Sequence, residues 1–220
     1  RLGETGASVE VIGSPELDIH SRPSGVSLAE VRERYGITTD DYGICVFHPV
    51  TSETDTMGAQ AASLFSSLEA SGRYFVVILP NNDPGSEDIV AEIRKLPAER
   101  FRVLPSMRFR YFSELLKNAR VIIGNSSAGV REAPFLGVAS LDLGTRQSNR
   151  GSAPSLSKAS PLDGEAIRRF LETNWGKAYP KHQAFGTGLA SENFLALLQR
   201  ETFWTRPMQK YFEDDPERHG

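Results

Sequence analysis

The chain has 220 residues, 39% apolar and 24% charged, which bounds it to one large or two small globular domains with a substantial core. A net charge of −3 excludes the global basic field that nucleic acid or an anionic membrane would attract, and no apolar stretch approaches the length of a membrane span. The single Cys45, set in an apolar run, excludes an internal disulfide and a cysteine-based metal cluster and fits a reducing cytoplasm.

The chain opens on Arg1 rather than Met, which leads us to expect a piece of something longer. Residues 9–13 read as a first strand, with Ser14-Pro15-Glu16-Leu17-Asp18 as a loop at its carboxyl end and residues 18–25 as a polar surface connection. Ser27-Leu28-Ala29-Glu30 is a capping box that opens a short scaffolding helix through Tyr35, closed by Gly36. Residues 42–47 form the next strand and deliver His48-Pro49-Val50-Thr51-Ser52-Glu53 to its carboxyl end. Pro49 keeps His48 extended and ends the strand sharply. A histidine there faces the crevice where open α/β sheets bind ligands, although a lone histidine is as often structural. Residues 53–71 follow as an amphipathic helix, with Ala59, Leu64 and Leu68 at helical spacing.

Residues 73–79 are the clearest buried strand. The polar loop after it, Pro80-Asn81-Asn82-Asp83-Pro84-Gly85-Ser86, has ordinary turn composition, and only its place at a strand's carboxyl end singles out Asn81 and Asp83. A helix over 87–95, a short strand over 101–104 and a helix over 109–118 come next.

The centre of the chain is Val121-Ile122-Ile123-Gly124-Asn125-Ser126-Ser127-Ala128-Gly129-Val130-Arg131-Glu132-Ala133-Pro134. Three apolar residues run into Gly124, and Ser126, Ser127 and Gly129 then crowd the first turn of a helix. Small residues there let an anion approach the free N–H groups and the positive end of the helix dipole. Glu132, about one turn later, is placed to accept two hydroxyl hydrogen bonds, and a phosphate beside a sugar diol is the shape of a nucleotide site. Serine is also simply a good N-cap, so the same turn occurs without a ligand. A hydrolase nucleophile elbow is disfavoured: Ser126 has Gly124 but Ala128, and Ser127 has Asn125 but Gly129.

A strand over 138–143 leads into the basic loop Gly144-Thr145-Arg146-Gln147-Ser148-Asn149-Arg150-Gly151, in which Arg146 is a candidate phosphate partner. Residues 152–161 read as loop, 163–175 as helix, 186–188 as a turn, 191–200 as helix and 207–212 as a short amphipathic piece. Strands alternating with helices predict a parallel sheet covered on both faces, a Rossmann-like doubly wound α/β fold. No G-x-G-x-x-G follows the first strand, against a nicotinamide dehydrogenase, and the four histidines lack metal-ligand spacing, so neither cofactor nor metal is expected.

These residues resemble a family. Gly13-Ser14-Pro15-Glu16-Leu17-Asp18, His48-Pro49-Val50-Thr51, Pro80-Asn81-Asn82-Asp83-Pro84-Gly85-Ser86, the segment Gly124 to Glu132, Gly144-Thr145-Arg146-Gln147, Gly176-Lys177-Ala178-Tyr179-Pro180 and Gly186-Thr187-Gly188 are similar, in order and spacing, to the C-terminal half of the UDP-N-acetylglucosamine 2-epimerases. The His48-Pro49-Val50-Thr51 and Asn125-Ser126-Ser127-Ala128 segments resemble the hydrolysing branch, since the other branch typically has His-Arg-Arg-Glu and Asp-Ser-Gly-Gly there. Departures are Pro84, the run after Arg150, and the lack of an apolar strand in residues 152–161.

The resemblance implies a GT-B-like two-domain fold, with residues 1–205 as the nucleotide-binding half and 206–220 packing toward the other half. It implies that Ser126, Ser127 and Gly129 hold the diphosphate, Glu132 the ribose hydroxyls, and the backbone around Ser106 and Met107 the uracil. Asn81 and Asp83 would face the cleft, Arg146 would lie near the diphosphate, and His48 would be the catalytic histidine. The implied reaction is elimination of UDP followed by hydration with inversion at C2, the carboxylates for the C2 proton lying in the other half. The implied partners are a UDP-sugar, the N-terminal half and a second copy in a dimer. A UDP-sugar-binding module without chemistry and the C-terminal half of a GT-B glycosyltransferase remain as alternatives.

Overall fold

The computed structural model describes residues 9–206. In chain order the elements are α1 (Glu16–Ser21), α2 (Leu28–Tyr35), β1 (Tyr42–Val46), α3 (Met57–Ala70, entered by a 3-10 turn over Thr54–Thr56), β2 (Tyr74–Ile78), α4 (Ser86–Ile93), β3 (Phe101–Leu104), α5 (Phe109–Asn118), β4 (Val121–Gly124), α6 (Ser127–Leu136), β5 (Ala139–Leu143), β6 (Leu156–Ala159), α7 (Gly164–Asn174), α8 (Ala190–Leu198) and α9 (Glu201–Trp204). They divide into two compact units: Arg22–Ala184, and the two chain ends, Arg1–Ser21 with Phe185–Gly220.

In the larger unit six strands form one sheet of order β3-β2-β1-β4-β5-β6, every neighbour parallel. This is the doubly wound Rossmann order, whose strand sequence reverses between β1 and β4. Alternation along each strand sends side chains to two separate cores. Cys45, Phe75, Val77, Val121 and Ile123 join α3, α4 and α7 residues on one face. Ile44, Val46, Val76 and Ile122 meet α2, α5 and α6 residues on the other. The capping box of α2 is present, with Ser27 accepting from the Glu30 N–H, Glu30 accepting from the Ser27 N–H, and Gly36 in the left-handed region.

The structure corrects the expected element set. Residues 9–13 are not a strand, and Val9 and Val11 are exposed. The sixth strand is instead β6, inside the stretch read as loop. Its Leu-Ser-Lys-Ala sequence carries little strand signal because it is a half-exposed edge, paired only to β5. The supposed loop and connection after Gly13 contain helix α1, whose Leu17, Asp18 and His20 are buried.

Within the smaller unit, the two motifs from opposite chain ends meet. Ser14 donates its N–H to the Phe185 carbonyl at 2.8 Å, and the Gly186 region packs directly on Gly13. Asp18 caps α8 by accepting from the N–H groups of Ala190 and Ser191, both at 2.7 Å. The segment 207–212 lies outside the described residues.

Candidate functional site

His48 lies two residues beyond the end of β1 and Asn125 lies directly after β4, and the two stand side by side at the reversal point of the sheet. Asn125 is buried, and its carboxamide engages both polar backbone groups of His48: Oδ1 accepts from the His48 N–H at 2.7 Å and Nδ2 donates to the His48 carbonyl at 2.8 Å. Its backbone N–H bonds the Val46 carbonyl at 3.1 Å. Its own carbonyl accepts from Arg146 Nη1 at 3.2 Å and from Gln147 Nε2 at 3.1 Å. One residue therefore ties the ends of β1, β4 and β5 together.

The imidazole of His48 is held from the β2 side. The Asn81 N–H donates to His48 Nδ1 at 3.2 Å, and Asn81 Nδ2 donates to Asp83 at 2.5 Å. Burial above all, and then the positive Arg146 guanidinium, lower the His48 pKa to about 4, with Asp83 partly offsetting both. At neutral pH the ring is uncharged. With Nδ1 accepting, the proton belongs on Nε2. His48 is thus a neutral hydrogen-bond donor, which differs from the acid that its ordinary pKa near neutrality suggests.

Helix α6 starts beside this group. Ser126 is its N-cap, in extended backbone, and its hydroxyl accepts from the Ala128 N–H at 3.3 Å. Ser126 and Ser127 are half-buried and Gly129 is buried against β5. The Ala128 and Gly129 N–H groups are bonded to the Ser126 hydroxyl and carbonyl, and the positive end of the helix dipole at this strand end suits an anion.

A further bond joins two of the loops at the strand ends. The Thr145 hydroxyl donates to Glu53, whose other carboxylate oxygen accepts from Gln60 at 3.0 Å. Both bonds hold the Glu53 carboxyl below its usual range, the Thr145 bond more strongly. The loop after β1 is thereby joined to the loop that carries Arg146.

His48, Asn81, Asp83 and Arg146 thus come together in one network, and Ser126, Ser127 and Gly129 open the helix next to it. Glu132 is buried farther along α6. Ser106 and Met107 follow β3 at the far edge of the sheet, Ser106 exposed and Met107 packed on the core. Asn125, Gln147 and Glu53 were not singled out by sequence. Their positions at the ends of β4, β5 and β1 are the signal that would have found them. No group of three or more His, Cys, Asp and Glu among the described residues is arranged to hold a metal.

A family profile described as UDP-N-acetylglucosamine 2-epimerase matches residues 1–199. The chain is 40% identical over 217 residues to the UDP-N-acetylglucosamine 2-epimerase of Neisseria meningitidis serogroup B, covering 97% of this chain and 58% of that protein, its C-terminal part. It is 27% identical to the hydrolyzing UDP-N,N'-diacetylbacillosamine 2-epimerase of Legionella pneumophila, over 90% of this chain and 53% of that one. Among solved structures, the Methanocaldococcus jannaschii UDP-GlcNAc 2-epimerase in complex with UDP-GlcNAc and UDP superposes with a TM-score of 0.68 at 18% identity, over 89% of this chain and 56% of that one. The chain therefore spans a little over half the length of these relatives, and the last likeness establishes the GT-B-like fold.

Proposed function

The chain belongs to the UDP-N-acetylglucosamine 2-epimerase family, and from that premise we propose that it is the UDP-binding half of a hydrolysing 2-epimerase, which converts a UDP-N-acetylhexosamine of the N-acetylglucosamine type into free N-acetylmannosamine and UDP. The observation that carries this reading is the meeting of a neutral histidine, a guanidinium and a serine-capped helix N-terminus at the reversal point of the sheet. The first-turn N–H groups around Ser126, Ser127 and Gly129 hold the diphosphate, with Arg146 alongside. Glu132 takes the ribose hydroxyls, the backbone at Ser106 and Met107 meets the uracil, and Asn81 and Asp83 line the crevice.

In the elimination step, the C2 proton is removed by a carboxylate of the N-terminal half while the C1–O bond to the diphosphate breaks. Negative charge grows on the departing diphosphate, where the fixed dipoles of α6 and the His48 Nε2–H stabilise it without reorganisation. Water then adds to the unsaturated sugar and the configuration at C2 is inverted. The hydrolysing assignment is supported by the His48-Pro49-Val50-Thr51 segment and by the Legionella relative. The working enzyme would be a cytoplasmic dimer, with residues 1–205 as the nucleotide-binding domain.

Proton NMR of UDP-N-acetylglucosamine mixed with the 220-residue chain tests this reading. Perturbed uracil signals with no new sugar are expected. Free N-acetylmannosamine would show that all the catalytic groups lie in this chain, and unperturbed uracil signals at millimolar protein would overturn nucleotide binding.

A further inference from the structure

We propose that Asn125 is a positioning residue whose carboxamide fixes His48 as the Nε2–H tautomer, so that the crevice offers an anionic ligand a hydrogen-bond donor rather than a base. The proposal deepens the reading above, and it rests on that reading only for the identity of the anion.

The chemistry of the pair is specific to an amide. His48 presents one backbone donor and one backbone acceptor at the end of β1, and Asn125 answers each with the matching half of one rigid group. An aspartate in this position offers acceptors alone at neutral pH, so its second oxygen would face the His48 carbonyl. An alanine offers nothing and leaves both partly buried backbone groups without these partners. The pair extends the β1–β4 ladder by one side-chain step and so stops the backbone from rotating at His48.

Backbone position then determines the ring. His48 Nδ1 reaches the Asn81 N–H at 3.2 Å only while the β1 end is held in register with the β2 loop. A backbone N–H can only donate, so Nδ1 must accept and Nε2 must carry the proton. The same Asn125 places its carbonyl under Arg146 and Gln147, which sets the guanidinium beside the ring and keeps positive charge next to it. The charged groups acting on the ring are thus Arg146 from the β5 loop and Asp83 from the β2 loop. Asn125 needs no contact with a ligand for any of this.

Long-range proton–nitrogen correlation spectra of the imidazoles test the proposal directly. The chain has four histidines, His20, His48, His182 and His219, and a His48→Gln spectrum assigns the signal of interest. In the wild-type chain, His48 is expected as a single Nε2–H tautomer at neutral pH. In Asn125→Asp and Asn125→Ala, the Nδ1–H form should appear alongside it, and affinity for UDP should fall about tenfold, as for other groups that orient a functional histidine. A wild-type spectrum showing the Nδ1–H form or a mixture overturns the proposal, whether or not either variant folds. So does a folded variant that keeps the pure Nε2–H form. A wild-type Nε2–H signal, with the tautomer shift in the variants but no response of the chain to UDP, supports the positioning role and places the failure in the nucleotide reading.

Discussion

Gly124 lies so close to Val46 that a Cβ on the glycine would stand 2.0 Å from the Val46 carbonyl oxygen. Its φ of +135° is also one that side-chain-bearing residues rarely adopt. This close approach lets β4 turn into α6 directly against the end of β1, bringing the Asn125 N–H to the same Val46 carbonyl. Gly124→Ala should cost about 3 kcal/mol of stability or more, through the backbone clash and the strained φ together. Urea unfolding of the variant measures it. A loss under about 1 kcal/mol would contradict the geometry of the turn.

Gly129 has a different neighbour. A Cβ there would stand 2.9 Å from the Ser140 Oγ, a buried hydroxyl on β5 that makes no hydrogen bond among the described residues. Gly129→Ala should therefore destabilise by about 1 kcal/mol despite the better helix propensity of alanine. Removing the obstacle with Ser140→Ala should relieve that cost, so that the double variant is at least as stable as Ser140→Ala alone. Additive losses in the double-mutant cycle would show that the two positions do not touch.

The Glu53–Thr145 bond predicts a coupling between two loops that are distant in sequence. Glu53→Ala and Thr145→Val should each weaken UDP binding several-fold by freeing the segment that carries Arg146, with little effect on melting, because the bond is largely exposed. The double variant should be no worse than either single one. Calorimetric titration of the four proteins with UDP measures this, and fully independent effects would remove the latch from the account.

His48 gives the pH dependence its sign. Its folded pKa of about 4 lies below the ordinary 6.5, so between those values the unfolded chain binds more protons than the folded one. Stability from this residue is complete above about pH 6.5 and lost as the pH falls through about 4. Screening at a partly open site reduces it to on the order of 2 kcal/mol. Glu53, with its carboxyl lowered, acts in the same direction at lower pH. Asp142, raised by burial with Lys158 opposing, acts the other way and contributes stability that is lost as pH rises. Urea midpoints across this range, for the wild type and His48→Gln, measure the histidine part as a difference in slope, and parallel curves would remove it. A bound diphosphate should raise the His48 pKa again, so UDP binding in acid should take up protons.

The elements legible in the sequence were those whose local and tertiary preferences agree. The capping box at Ser27 and Glu30 predicts a helix start that packing then uses, and the apolar runs behind β1, β2 and β4 suit strands buried on both faces. Residues 9–13 look equally strand-like, yet β-propensity states only that a segment suits a half-buried surface. For β6 the reverse holds: Leu156 and Ala159 say little, and pairing with Ser140 to Leu143 makes the strand. Helix α1 is set by its buried Leu17 and by Asp18 capping α8, contacts with residues more than 160 positions away.

By itself the sequence determined the class of the fold, the family, and the set of strand ends that bear functional side chains. Alternating apolar runs and a glycine-serine turn are local patterns with local physical causes. The tertiary structure alone decided that Asn125 would be the hub of the crevice and that His48 would be neutral. Asn125 after a glycine reads as any turn residue until β1 lies beside β4 and supplies a backbone donor and acceptor at its side chain. The charge on His48 depends on burial, on Arg146 nearly a hundred residues away, and on one N–H from the β2 loop. Desolvation and Coulomb energy are functions of distance in space, and distance along the chain does not contain them.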